Sequence, residues 1–136
     1  MTLTSHWKTV AVALALALTL AACGSSSSSE AKSAVKSYLK AFATGDGKAA
    51  CSLMAEETRA QFVRQAKPLT HTSDCRKAVA ALKPALSRAF KGIHVSSAKV
   101  AGGEAVVNIT AGSRASPALL RKEGGKWKIS AAPGTQ

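Results

Sequence analysis

Apolar residues follow two different periods along this chain. Between Glu30 and Phe90 they recur mainly at three- and four-residue steps, and beyond Gly92 they alternate. Ala31, Ala34, Val35, Tyr38, Leu39 and Phe42 form one stripe, and Lys32, Lys36 and Lys40 form a second at i, i+4, i+8. This predicts a helix over 30–43. Ser28 or Ser29 is its expected cap, and Glu30 sits in the first turn, where the helix dipole favours a negative charge. Thr44-Gly45-Asp46-Gly47 should end that helix and cap the next. Lys48 to Met54 reads as a short second helix burying Ala49, Ala50, Leu53 and Met54. Glu56 to Gln65 reads as a third with Ala60, Phe62 and Val63 inward, and its continuity with the second is open. Lys67 to Ser73 reads as a connection, since Pro68 disfavours helix at the residue before it. Ser73 or Asp74 should cap a further helix through Cys75, Val79 and Leu82. Pro84 either breaks it or opens a short continuation to Phe90.

Alternation then predicts strands. Ile93 to Val100 is the first, irregular near Ser96-Ser97, and Ala101-Gly102-Gly103 turns the chain. Glu104 to Ala111 puts Ala105, Val107, Ile109 and Ala111 on one face. A loop over Gly112 to Ser116 and a strand over Pro117 to Glu123 follow. Gly124-Gly125 leads into Lys126 to Ala131, where Trp127, Ile129 and Ala131 share a face. Helices first and an antiparallel meander second argue an α+β fold: N-terminal helices on a curved sheet of about four strands. One domain over 30–131 accommodates this, with 132–136 as a tail.

The amino-terminal segment has a different composition. Lys8 precedes an uncharged Ala/Leu run from Val10 to Ala22. That run is shorter than the roughly 20 residues a spanning helix needs, and small residues follow it, so residues 1–22 read as an export signal. Leu20-Ala21-Ala22-Cys23 resembles the bacterial lipobox. The resemblance implies diacylglycerol on the Cys23 thiol and cleavage before it, leaving a lipid anchor on the extracytoplasmic face of the cell membrane. Two acyl chains hold firmly, since each buried methylene contributes about 0.8 kcal/mol. The alternative is a signal cut at an ordinary small-residue site, with Cys23 incidental. Gly24 and five serines then read as a flexible tether over 23–29.

Charge changes the list of partners. The chain carries 19 Lys+Arg against 7 Asp+Glu, a formal +12. An exported domain does not meet nucleic acid, so anionic lipid head groups and anionic wall polymers are the candidates. The plainer alternative is a solvated face. Of three cysteines, lipidation takes Cys23. Cys51 and Cys75 form an even pair in an oxidising compartment, which reads as a disulfide. A metal set of Cys51, Cys75 and His71, or a nucleophilic cysteine with His71 or His94 as base, competes with that reading. No cofactor motif is present.

Two stretches carry a family resemblance. Ala34 to Asp46 is similar to the opening helix and Gly-Asp turn of the cone-shaped α+β superfamily named for nuclear transport factor two. Glu123 to Ile129 resembles its closing hairpin. Small actinobacterial lipoproteins with such domains also place cysteines near Cys51 and Cys75. The resemblance implies a sheet curled around the first helix, with a cleft between them. It also implies a short strand among the helices, for which Gln65–Ser73 offers the only room. Tyr38, Phe42 and Trp127 are the expected cleft residues, with a small apolar ligand as occupant. Ketosteroid isomerases in this superfamily use an Asp base and a Tyr/Asp oxyanion hole. Here Tyr38 falls on the core stripe, Asp46 belongs to a turn and Asp74 to a cap, so no catalytic residue is expected. Three readings follow: a membrane-anchored, non-catalytic binding domain; a protein recognising an anionic polymer, lipid or protein through its basic surface; and an isomerase-like enzyme.

Overall fold

The computed structural model describes residues 23–132. The expected export segment over 1–22 and residues 133–136 of the expected tail lie outside them. Four helices, α1 (Cys23–Thr44), α2 (Gly47–Leu53), α3 (Glu56–Thr70) and α4 (Cys75–Ala89), precede four strands, β1 (Ile93–Ala101), β2 (Glu104–Ala111), β3 (Arg114–Glu123) and β4 (Lys126–Ala131). The strands form one antiparallel sheet in the order β1-β2-β3-β4. The fold is α+β, with the helices packed on one face of the sheet.

The core follows the two periods. Val35, Leu39 and Phe42 of α1 pack in one cluster with Val107 and Ile109 of β2, Leu120 of β3, and Trp127 and Ile129 of β4. Two caps fall where the side-chain chemistry puts them. Asp46 accepts from the Ala49 N–H at 3.0 Å and starts α2, and Asp74 accepts from the Lys77 N–H at 3.0 Å and starts α4. The register of β1 against β2 shifts between Val95 and Ser97, at the expected irregularity. Gly47 is required by close packing. A Cβ there would lie 2.5 Å from the Arg76 carbonyl oxygen, so α2 and α4 could not approach as they do.

Several boundaries differ from expectation. Residues 24–29, read as a coil tether, continue α1 back to Cys23. Ser28 therefore does not cap the helix; it lies inside it and its hydroxyl donates to the Ala98 carbonyl of β1 at 3.2 Å. Serine is only mildly unfavourable in a helix, and this tertiary bond, with Ala31 fully buried one turn on, favours helix over coil. The segment read as a connection, Lys67 to Ser73, is helical through Thr70, with Pro68 in the last turn of α3. His71 ends it in the left-handed region at φ 55°, its N–H donating to the Lys67 carbonyl. Pro84 does not break α4, whose Ala78 and Val79 are held by packing. On α3 the buried residues are Thr58 and Ala66, and Ala60, expected inward, is exposed.

No strand lies in Gln65–Ser73, where the resemblance leaves room for one. Met54 makes a parallel bridge to Ile129, and the Ala55 N–H donates to the Ile129 carbonyl at 2.9 Å. This extended pair separates α2 from α3 and covers the free edge of β4. The loop expected over Gly112 to Ser116 shrinks because β3 begins at Arg114. Pro117 lies inside β3, opposite Asn108. β4 pairs with β3 only from Leu119 onward, so at Pro117 the strand is locally an edge and can lack an N–H. No helix among the described residues is long and apolar enough to cross a membrane.

Candidate functional site

The opening in the helix–sheet layer that combines apolar walls with free polar groups lies where α1, α3 and the end of β4 meet. Tyr38 reaches it from α1, Met54 from the bridge, and Thr58, Gln61, Phe62 and Gln65 from α3. Ala131 and Ala132 close the other side, around a volume of about 110 Å³. The α3 residues share one stripe because their spacing of three and four positions matches the helical repeat. Thr58 is used structurally, donating to the Ser130 carbonyl at 2.8 Å, and this ties α3 to β4. Gln61 and Gln65 are exposed at the rim.

Tyr38 is 5% exposed, and its hydroxyl makes no hydrogen bond among the described residues. Burial pushes its pKa up to about 12. It is the only tyrosine in the chain, so phenolate absorbance reads it directly. A group whose folded pKa is raised contributes stability that is fully present below its unfolded value, near 10, and is lost as pH rises through the folded value. The expected midpoint in the native domain is about 12. A midpoint near 10 with circular dichroism still native would place Tyr38 outside this site.

The three residues expected in one cleft share the core cluster, but of them only Tyr38 lines this opening. Phe42 is 2% exposed and belongs to the core, its ring 4.6 Å from Tyr38, 5.4 Å from Phe62 and 5.9 Å from Phe90. Trp127 is 6% exposed and borders a different, shallow depression with Ser29, Glu30, Ser33 and Ala34. Its Nε1 is buried without a partner, and the Lys122 ammonium lies 5.1 Å from its ring centre. Phe42 and Trp127 thus belong to the packed core, and Tyr38 alone of the three faces the opening by α3. Its remaining wall, Thr58, Gln61 and Gln65, was missed because polar residues on a helix read as a solvent face.

Cys51 and Cys75 are bonded, with their Cα atoms 6.2 Å apart. Neither is a free thiol for a metal or a nucleophile, and His71 serves as the α3 cap residue. No group of three His, Cys, Asp or Glu among the described residues is placed to hold a metal. The Asp74 carboxyl sits below its usual range, first because the Lys77 N–H binds it, and is exposed beside Arg59 and Arg64. Arg121 joins Glu57 at 2.5 Å and Glu123 at 2.7 Å, and its hydrogen bond draws the Glu57 carboxyl down. All three are well exposed, so solvent screens the pairs and they contribute little.

Chemically, the Tyr38 opening offers dispersion contact, one phenol donor and two amides. Its walls contain no carboxylate, histidine or lysine. An engineered cavity of about 150 Å³ holds a benzene, so this one suits a group smaller than an aromatic ring. It is far below the 300–1,000 Å³ or so of sites for larger organic molecules. No protein-family model, curated protein or solved structure matches this chain.

Proposed function

We propose that this protein is exported, carried on a membrane by diacylglycerol at Cys23, and acts there as a non-catalytic binding domain. The observation that carries this reading is the sorting of the cysteines. Cys51 and Cys75 are joined, which is consistent with an extracytoplasmic protein, and Cys23, the one within the lipobox-like Leu20-Ala21-Ala22-Cys23, stands apart at the start of α1. The ligand, on this reading, is a small apolar group with one acceptor for the Tyr38 hydroxyl.

The domain is further proposed to be of the nuclear-transport-factor-two-like kind. Support comes from the order of its elements and from the extended Met54–Ala55 pair beside β4. Changing Cys23 to Ala tests the anchor: the variant is expected to leave the membrane fraction or to keep its leader. A variant that stays membrane-bound with an unmodified amino terminus contradicts the proposal.

A further inference from the structure

Basic residues line α1, α4 and the turn that follows α4. Phe42 meets Phe90, the Ser87 hydroxyl donates to the Ala43 carbonyl, and the Lys83 side chain lies over Gly45. As α4 advances, α1 recedes, so the two helices run antiparallel. Lys83 and Ser87 stand four residues apart on α4, Lys91 follows in the turn after it, and Lys36, Lys40 and Ala43 stand four and three apart on α1. The Ser87–Ala43 contact therefore puts both lysine rows along one seam. Arg76 and Arg88 extend the face along α4. All six cations are exposed, and both ion pairs among the described residues belong to Arg121 instead.

Two features distinguish this face from an ordinary solvated one. A solvated helix intersperses acids with its bases, yet Cys75 to Lys91 contains no Asp or Glu, and Asp74 and Asp46 are engaged as caps. Between the cations of α4 lie Ala80 and Pro84, both exposed. Small apolar residues among lysines and arginines let a surface approach closely. The position of the anchor selects which surface. α1 is one helix from Cys23 through Lys40, about 26 Å at 1.5 Å per residue, and Ser28 fixes it to β1. The lipidated residue and the basic face thus belong to one rigid body.

We infer that the α1–α4 face docks on the bilayer that carries the anchor, against phosphate head groups of anionic lipids, and holds the domain flat on the membrane. The inference rests on the lipid-anchor reading. Anionic leaflets attract each basic side chain near their surface, and acyl chains combine with a basic patch as two additive signals.

The test uses the mature lipidated protein in vesicles of phosphatidylcholine, alone or mixed with phosphatidylglycerol. Lysine acetylation is mapped by mass spectrometry. Lys36, Lys40, Lys83 and Lys91 should react about fivefold more slowly on the anionic vesicles, the weight of a single interfacial cation, with Lys67 and Lys126 unchanged. Added salt should remove the difference. Equal reactivity on both vesicles, or protection of Lys67 and Lys126 instead, overturns the inference. So does protection by a phosphate-rich wall polymer without any effect of vesicles. If the isolated chain carries no lipid, the anchor reading fails by itself and the face is tested by sedimentation. The unlipidated chain should then pellet with the anionic vesicles, and the K36E/K40E variant, its urea transition intact, should bind at least roughly 25-fold less. Failure of the parent chain to pellet overturns the inference.

Discussion

Phe42→Ala is expected to lower the stability of the domain by about 3–5 kcal/mol, the cost of emptying a large aromatic site in a packed core. The ring joins three helices: it lies against Tyr38 on its own helix, Phe62 of α3 and Phe90, which caps α4. The whole stability of such a domain is about 5–15 kcal/mol, so the variant should be partly unfolded at modest urea. Truncation also opens a void beside Tyr38, next to the existing cavity of about 110 Å³. Benzene should then bind the variant and raise its melting temperature more than it does for the parent. Leu69→Ala supplies the contrast, since Leu69 is 74% exposed and its loss should cost within about 0.5 kcal/mol. Urea transitions measure both. A cost at Phe42 below about 1 kcal/mol would mean that the ring does not hold the helices together.

Breaking the Cys51–Cys75 bridge should cost about 3.5 kcal/mol, from the loop-closure entropy returned to the unfolded chain. The bridge spans 24 positions and encloses all of α3 between its ends. α3 is otherwise tied to the sheet by the Thr58–Ser130 hydrogen bond and the Glu57–Arg121 pair. Reduction should therefore loosen α3 and the Tyr38 site before β2 and β3. Amide exchange with and without reductant measures this. Uniform loss of protection across all elements, or no change in the urea midpoint, contradicts it.

The sheet was legible in the sequence because alternation begins sharply after Gly92 and glycines mark all three of its turns. The caps Asp46 and Asp74 were legible because their chemistry is local. What escaped depends on distant partners. The serines of 24–29 are helical in company with Ala98, some seventy residues away. Pro68 read as a break and Pro84 as a break or the start of a short continuation, and packing of Ala66, Ala78 and Val79 keeps both helices running. The Met54 bridge is invisible without Ile129 beside it. The same holds for the site. Tyr38 could be chosen by type, but Thr58, Gln61 and Gln65 gain meaning only when α3 is laid across the end of β4. Phe42 and Trp127 carried the right apolar character for a cleft, and that same character buried them in the core.

The intact mass of the protein extracted from membranes, measured without reductant, decides whether it is a lipid-anchored, disulfide-bonded domain. The account predicts a chain that begins at Cys23, carries the added mass of diacylglycerol, and is lighter by the two hydrogens of the Cys51–Cys75 bridge. A chain that begins at Met1, or one that begins at or after Cys23 with no lipid attached, contradicts it.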